Sequence, residues 1–167
     1  EAMHKQALAI RERLAQSNPQ AYEPDLAGSY YNLALLYSAT QRFSESEAMN
    51  KQAIAIHERL AQSNPQAYEP ALADSYNNLA NLYYQTQRFA ESEAMHKQAL
   101  AIRERLAQSN PQAYEPDLAG SYYNLALLYS ATQRFSESEA MNKQAIAIHE
   151  RLAQSNPQAY EPALADS

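Results

Sequence analysis

The chain is built from copies of one sequence. Residues 1–75 recur letter for letter as residues 93–167, which defines a repeat of 92 residues. Within that repeat, residues 1–46 and 47–92 differ at only ten positions, so the basic unit has 46 residues. Repeats of roughly 20–50 residues are typical of solenoids, in which each unit buries its apolar face against its neighbours. Such a chain presents an extended surface rather than one asymmetric catalytic pocket.

Composition excludes several classes of protein. The 167 residues are 46% hydrophobic, but no apolar run approaches the ~18–20 residues that span a bilayer. The chain has no cysteine, which excludes disulfides, and its net charge of −6 argues against nucleic acid and anionic membranes as partners. We expect a cytoplasmic location, and the lack of cysteine leaves the redox compartment open. The sequence starts and stops inside repeats, so we expect it to be a segment of a longer array.

Each unit is predicted to form two helices. Helix A is expected from Pro24 to about Thr40, because proline is tolerated at the first helical position. Helix B is expected from Phe43 to Gln62, where Asn64-Pro65 stops it. The core face of helix A carries Leu26, Tyr30, Leu33, Ala34 and Tyr37, and that of helix B carries Phe43, Met49, Ala53, Ile56 and Leu60.

These helices predict an all-α chain of antiparallel hairpins. We expect a lone helix B over residues 1–17, hairpins over about 24–62, 70–108 and 116–154, and a helix A stub over 162–167. A loop of about seven residues, Ser63–Glu69, is expected to join one hairpin to the next. Small residues at Ala34, Ser46 and Ala53 are expected to let the helices pack closely.

One run in helix A carries a family resemblance. Tyr30-x2-Leu33-Ala34-x2-Tyr37 resembles the helix A signature of the tetratricopeptide repeat, and it recurs at Tyr76–Tyr83 and Tyr122–Tyr129. Residues 77–83 and 99–104 resemble the long repeats of kinesin light chains and their bacterial relatives. The resemblance implies a right-handed superhelical solenoid. Each unit is 12 residues longer than the usual ~34, and serine replaces the usual alanine early in helix B.

The ten differences between units point to one surface. Six lie in helix A: Asp25/Ala71, Gly28/Asp74, Tyr31/Asn77, Leu35/Asn81, Ser38/Tyr84 and Ala39/Gln85; the other four are His4/Asn50, Leu8/Ile54, Arg11/His57 and Ser44/Ala90. The six occupy an arc of about 140° opposite the apolar stripe. A packed core does not accept changes as large as leucine to asparagine without cost, so this face is predicted to lie outside the core.

The same face is the ligand-binding groove in the family that the chain resembles. The resemblance implies a concave groove for an extended peptide or helix, with Asn32, Asn78 and Asn124 as groove asparagines that bond a ligand backbone. The candidate groove residues are Tyr31, Asn32, Leu35, Asp74, Asn77, Asn78, Asn81, Tyr84, Gln85, Tyr123, Asn124 and Leu127. A solvated face that varies without any partner is the alternative.

The chemistry of these positions favours some ligands over others. The middle unit offers mainly polar side chains, whereas the flanking units offer Tyr31, Leu35 and their copies, which are more apolar. No basic residue is among them, which disfavours capture of a ligand's carboxylate. The expected ligand is a neutral or mildly basic extended segment of a protein.

The sequence does not predict an enzyme. The histidines His4, His57, His96 and His149 all lie in helix B, have no i,i+4 metal spacing, and are interpreted as surface residues. No phosphate-binding loop, dinucleotide fingerprint or nucleophile elbow occurs. We therefore expect no catalysis, no metal and no cofactor.

Two functions remain open. The first is a protein–protein interaction scaffold. The second is a structural or engineered repeat array that stacks end to end into longer superhelices, because uncapped ends favour a head-to-tail contact that does not close. In that case Met3, Leu8 and Ile10 at one end lack a preceding helix A.

Overall fold

The computed structural model describes residues 2–155, without the side chains of residues 2, 4 and 5. Within this range the chain is entirely α-helical, which confirms the predicted class. The helices are α1 (Ala2–Ser17), α2 (Pro19–Ala39), α3 (Phe43–Ser63), α4 (Pro65–Gln85), α5 (Phe89–Ser109), α6 (Pro111–Ala131) and α7 (Phe135–Ser155). The predicted stub at 162–167 lies outside the described residues.

The predicted start of helix A and the predicted inter-hairpin loop are wrong. Helix A begins at Pro19, Pro65 and Pro111, five residues before the proline that the sequence suggested. Asn64 is the whole connection between α3 and α4: its backbone N–H donates to Leu60 O at 2.9 Å, and its side chain accepts from Ala67 N at 3.3 Å. One asparagine therefore ends helix B and caps the next helix A.

The prolines explain why the helix starts earlier. Pro65 occupies the first turn of α4, where a missing N–H costs nothing. Pro70 then lies inside α4, as Pro24 does in α2. An internal proline removes one intrahelical hydrogen bond, but the helix continues because the asparagine cap and the first proline have already started it. The hairpins expected from about residues 24, 70 and 116 thus begin at 19, 65 and 111.

Helix A joins helix B through a tight turn. The N–H of Gln41 donates to Ser38 O at 3.0 Å, and that of Arg42 donates to Tyr37 O at 2.8 Å. This pair of bonds is a Schellman motif, which places the residue after the cap in the left-handed region. Gln41 has a φ of 58°, and its copies Gln87 and Gln133 have 60° and 59°. The short polar connection predicted at Gln41-Arg42 is confirmed.

The helices group into two compact units, α1 to α4 and α5 to α7, which divide between Gln87 and Arg88. Within each unit, consecutive helices pack against one another. The first unit has a core of Ala15, Leu26, Ala27, Tyr30, Ala53, Ile56 and Leu60. The second has one of Ala107, Leu118, Ala119, Ile148 and Leu152, with a further cluster around Leu125, Leu128 and Tyr129.

Close packing of the hairpin depends on small residues, as predicted. Ala34, Ser46 and Ala53 are fully buried where α2 meets α3. The Ser46 hydroxyl donates to Ala34 O at 2.8 Å, and Ser138 repeats this bond to Ala126 O at 2.8 Å. A serine at this position therefore fills the role of the family's alanine and also satisfies its own hydroxyl.

Candidate binding groove

The predicted groove residues all lie outside the core. None of the twelve is buried, so this face of helix A is not a packing surface. Four are half-buried: Tyr31, Asn77, Asn78 and Asn124. The other eight are exposed: Asn32, Leu35, Asp74, Asn81, Tyr84, Gln85, Tyr123 and Leu127.

The variable faces of two of these helices, α2 and α4, meet in the first unit. The α2 and α4 helices lie side by side in the first unit, where Ser38 Oγ donates to Gln85 Oε1 at 3.3 Å. Ser38 and Gln85 both belong to the variable positions, so the variable faces of α2 and α4 form one surface. We call this surface the α2–α4 face. Tyr123, Asn124 and Leu127 lie on α6 in the second unit.

Apolar side chains are exposed on these faces. Leu35 and Tyr84 protrude from the α2–α4 face, and Tyr123 and Leu127 from α6. The same faces also expose amide groups, at Asn32 and Asn81. A surface of this kind supplies both apolar contact area and hydrogen bonds that suit a polypeptide backbone.

A cavity of about 390 Å³ opens at one end of the α2–α4 face. Its walls are Pro24, Gly28, Tyr31 and Asn32 from α2, His57 from α3, and Ala67, Tyr68, Ala71 and Asp74 from α4. Only Tyr31, Asn32 and Asp74 of these were predicted as site residues. The signal for three more was present, because Gly28, His57 and Ala71 are among the ten positions that differ between units.

Asn78 is held by the protein itself. Its Nδ2 donates to Oδ1 of Asn50 at 2.9 Å, and the Nδ2 of Asn50 donates in turn to Ser46 O at 3.1 Å. Asn50 is completely buried. The Nδ2 group of Asn78 therefore bonds within the junction between α3 and α4. Asn32, in contrast, is exposed on α2. No sequence pattern indicates this pairing, because the two residues are 28 positions apart.

The interpretation of the histidines as surface residues is wrong for two of the four. His57 and His96 are buried on the face of helix B that the next helix A covers. The Nδ1 of His57 lies 2.9 Å from Ser75 Oγ, and burial lowers its pKa while nearby Asp74 opposes that shift. His149 is half-buried, and the His4 side chain lies outside the described residues.

His96 is the least satisfied of these side chains. It is only 2% exposed, and its Nδ1 has no hydrogen-bond partner. Burial lowers its pKa from 6.5 to about 4, and the positive charge of Arg103 acts in the same direction. His96 is therefore neutral at pH 7, which makes it a packing residue.

Three of the helix B differences share one location. Positions 50, 54 and 57 follow helical spacing, and Asn50, Ile54 and His57 are all buried in α3. In α5 the equivalent residues are His96, Leu100 and Arg103, and Arg103 donates to Ser121 Oγ at 2.8 Å. These differences therefore change the junction between helix B and the following helix A, a role that the pattern along helix B does not predict.

Other kinds of site find no support in the described range. Among residues 2–155, no three His, Cys, Asp or Glu side chains cluster in a way that suits a metal ion. No helix in that range is long and apolar enough to cross a membrane.

Several solved structures are similar to this chain. BtubC (BKLC) from P. vanneervenii has a TM-score of 0.72 and 27% identity, over 93% of this chain and 59% of that protein. A kinesin-light-chain-like protein from Podosopora anserina with nearly identical TPR-like repeats has a TM-score of 0.62 and 23% identity, over 93% of this chain and 70% of that one. A variant of the Podosopora protein has a TM-score of 0.64 and 22% identity, over 92% of this chain and 70% of that one.

This chain thus spans less than two thirds of BtubC. No curated protein sequence matches it. The family model of the tetratricopeptide repeat, in contrast, matches three stretches, residues 26–66, 72–112 and 118–158. The three stretches start 46 residues apart, which equals the repeat length in the sequence, and each includes most of one helix A and the helix B that follows it. The chain belongs to the tetratricopeptide repeat family, whose members are generally non-catalytic scaffolds for protein interactions.

Proposed function

We propose that this chain is a non-catalytic scaffold that binds an extended peptide or helix from another protein on the α2–α4 face. One observation carries the proposal. All six differences in helix A, among them leucine to asparagine and serine to tyrosine, fall at positions that are half-buried or exposed in both α2 and α4. Changes at such positions alter what the surface recognises while the core beneath stays the same.

The chemistry of the face narrows the ligand. Asp74 is the charged residue among the candidate groove residues, and the chain as a whole carries a net charge of −6. A neutral or mildly basic segment fits this balance, whereas an acidic segment or a nucleic acid is repelled. Leu35 and Tyr84 provide apolar anchors, and Asn81 provides an amide for the ligand backbone.

A peptide-library screen with substituted proteins tests this function. Asn81→Ala and Tyr84→Ala are expected to weaken any selected peptide by about tenfold or more, which corresponds to about 1.4 kcal/mol. Both residues are exposed, so helicity by circular dichroism stays unchanged. Asn78 is unsuitable for this purpose because it also holds buried Asn50. Binding is measured by titration calorimetry.

The matched control is Gln52→Ala, which removes an exposed amide from α3 instead of the α2–α4 face. It is expected to leave the affinity unchanged. A selected peptide that binds both groove variants as tightly as the original protein would remove the assignment of the ligand to this face.

Stacking into a longer array is the second candidate function, and one comparison favours it. Ile10 on α1 is 51% exposed, whereas its copies Ile56 and Ile102 are 4% and 5% exposed. In the first unit, Ile56 is buried in the cluster that includes Leu26 and Tyr30 of α2, the helix A that precedes it. A second copy of the chain that supplied such a helix A would give head-to-tail association.

Light scattering at increasing protein concentration tests the stacking. The average mass is expected to rise with concentration, and Ile10→Glu is expected to suppress the rise because it charges the exposed apolar face. A mass that stays monomeric at every concentration rules this function out.

A further inference from the structure

One position in helix B differs between units in a way that changes charge and size together. Arg11 in α1 and Arg103 in α5 occupy the place that His57 takes in α3. Both arginines donate through Nη1 to a serine of the next helix A, Ser29 and Ser121, the latter at 2.8 Å. The protein itself therefore places a guanidinium group at this junction in two of its repeats.

The following helix A changes in step. Gly28 and Gly120 precede the serines that the arginines contact, whereas Asp74 precedes Ser75, the partner of His57. A helix B that carries the arginine is thus followed by a helix A that carries the glycine, whereas the helix B with His57 is followed by the helix A with Asp74. The arginine junctions also carry an aspartate, Asp25 or Asp117, where α4 has Ala71. Each arginine is thus balanced by one carboxylate, whereas the carboxylate of Asp74 lies near His57, whose pKa burial lowers.

The 390 Å³ cavity lies at this altered junction. Histidine is shorter than arginine, and the cavity is bounded by His57 together with Asp74. Two tyrosine rings, Tyr31 and Tyr68, stand in its walls, and Gly28 contributes no side chain to its α2 side. The volume is at the lower end of ligand pockets, which run from about 300 to 1,000 Å³, and it suits one long side chain.

We propose that this cavity is a subsite for one arginine side chain of the bound polypeptide. This subsite rests on the proposed peptide-binding function, and it makes arginine the side chain that the α2–α4 face recognises. A guanidinium group forms charge-assisted hydrogen bonds to a carboxylate, and Asp74 places a carboxylate in the wall of this cavity. The aliphatic stem and the flat head of arginine pack against tyrosine rings.

Three pentapeptides test the subsite by NMR titration of the isotope-labelled protein. They are acetylated and amidated Ala-Ala-X-Ala-Ala, with arginine, norleucine or glutamate at X. The arginine peptide is expected to shift the resonances of residues around the cavity at millimolar concentration. The norleucine peptide is expected to bind about tenfold more weakly, since it lacks the charge-assisted bonds, and the glutamate peptide not at all. Equal binding of the arginine and norleucine peptides overturns the proposal.

Two substitutions locate the effect. Asp74→Asn is expected to weaken the arginine peptide about tenfold, since it removes the charge and keeps the shape. Gly28→Leu is expected to abolish binding because its side chain would occupy the α2 side of the cavity, and a Cβ at Gly28 meets nothing within 4 Å. Gly120→Leu is the matched control, since Gly120 is equally unobstructed but lies on α6. An unchanged affinity in Asp74→Asn overturns the proposal.

The library screen separates this inference from the proposed function. If the affinity of the selected peptides depends on Asn81 and Tyr84 but not on Asp74 or Gly28, the groove assignment is supported and the arginine subsite is overturned. In the opposite case, the arginine pentapeptide binds in a way that depends on Asp74, but no library peptide depends on Asn81 or Tyr84. That result supports the arginine subsite and overturns the wider groove.

Discussion

Leu33→Ala is expected to lower the free energy of unfolding by about 2–5 kcal/mol, the range measured when a buried leucine is truncated. Leu33 is only 1% exposed and lies on the face of α2 that packs against the core. The surroundings of a truncated core side chain relax only in part, so the lost methyl groups leave a cavity. Urea denaturation followed by circular dichroism measures the change.

Leu35→Ala is the matched control, since it removes the same atoms two residues further along the same helix. Leu35 is 41% exposed and lies on the α2–α4 face. Its truncation is expected to change the free energy of unfolding by no more than about 0.5 kcal/mol. Equal losses from the two substitutions would contradict the division of α2 into a core face and a groove face.

Acidification from pH 7 to pH 4 is expected to cost the protein about 3 kcal/mol of stability through His96 alone. Burial lowers the pKa of this side chain to about 4 in the folded protein, compared with 6.5 when it is exposed. Between these values the unfolded chain binds more protons than the folded one, so protons favour unfolding. The contribution is complete above about pH 6.5 and declines as the pH falls towards 4. Denaturation curves at several pH values measure this decline.

His96→Asn isolates the contribution, and the chain itself supplies the reason for choosing asparagine. Asn50, at the equivalent position of α3, bonds to both Ser46 and Asn78. Ser92 and Asn124 stand in the same places around position 96, so the new amide finds hydrogen bonds where the imidazole Nδ1 has none. The variant is expected to match or exceed the original stability at pH 7 and to lose about 3 kcal/mol less at pH 4. The same acid sensitivity in both proteins would contradict the role of His96.

Periodicity predicted the core face of helix A fully, but that of helix B only in part, since Phe43 and Met49 are half-buried. The stripe of Leu26, Tyr30, Leu33, Ala34 and Tyr37 is buried in full, because residues three and four apart lie on one face of a helix. The small residues at the hairpin interface were also predictable, since close helix packing leaves no room for a large side chain. Repeats that share these positions must share their core.

Helix boundaries were less predictable because two signals compete. Pro24 and Pro19 both suit a helix start, but only Pro19 follows a capping residue, and the sequence prediction did not use that signal. The structure selects Pro19 because Asn18 before it caps the helix, with its side chain accepting from Ala21 N at 3.3 Å. Pro24, in contrast, follows Glu23 within the same helix and has no cap of its own.

The sequence by itself determined the repeat, the helical class and the face of helix A that varies, because each follows from spacing along a single chain. Only the tertiary structure decided which side chains meet across helices. It paired Asn50 with Asn78, buried His57 against Ser75, and placed Asp74 at a cavity that α2, α3 and α4 enclose together. Contacts of this kind depend on how three helices pack against one another, and the residue pattern along one helix does not specify that packing.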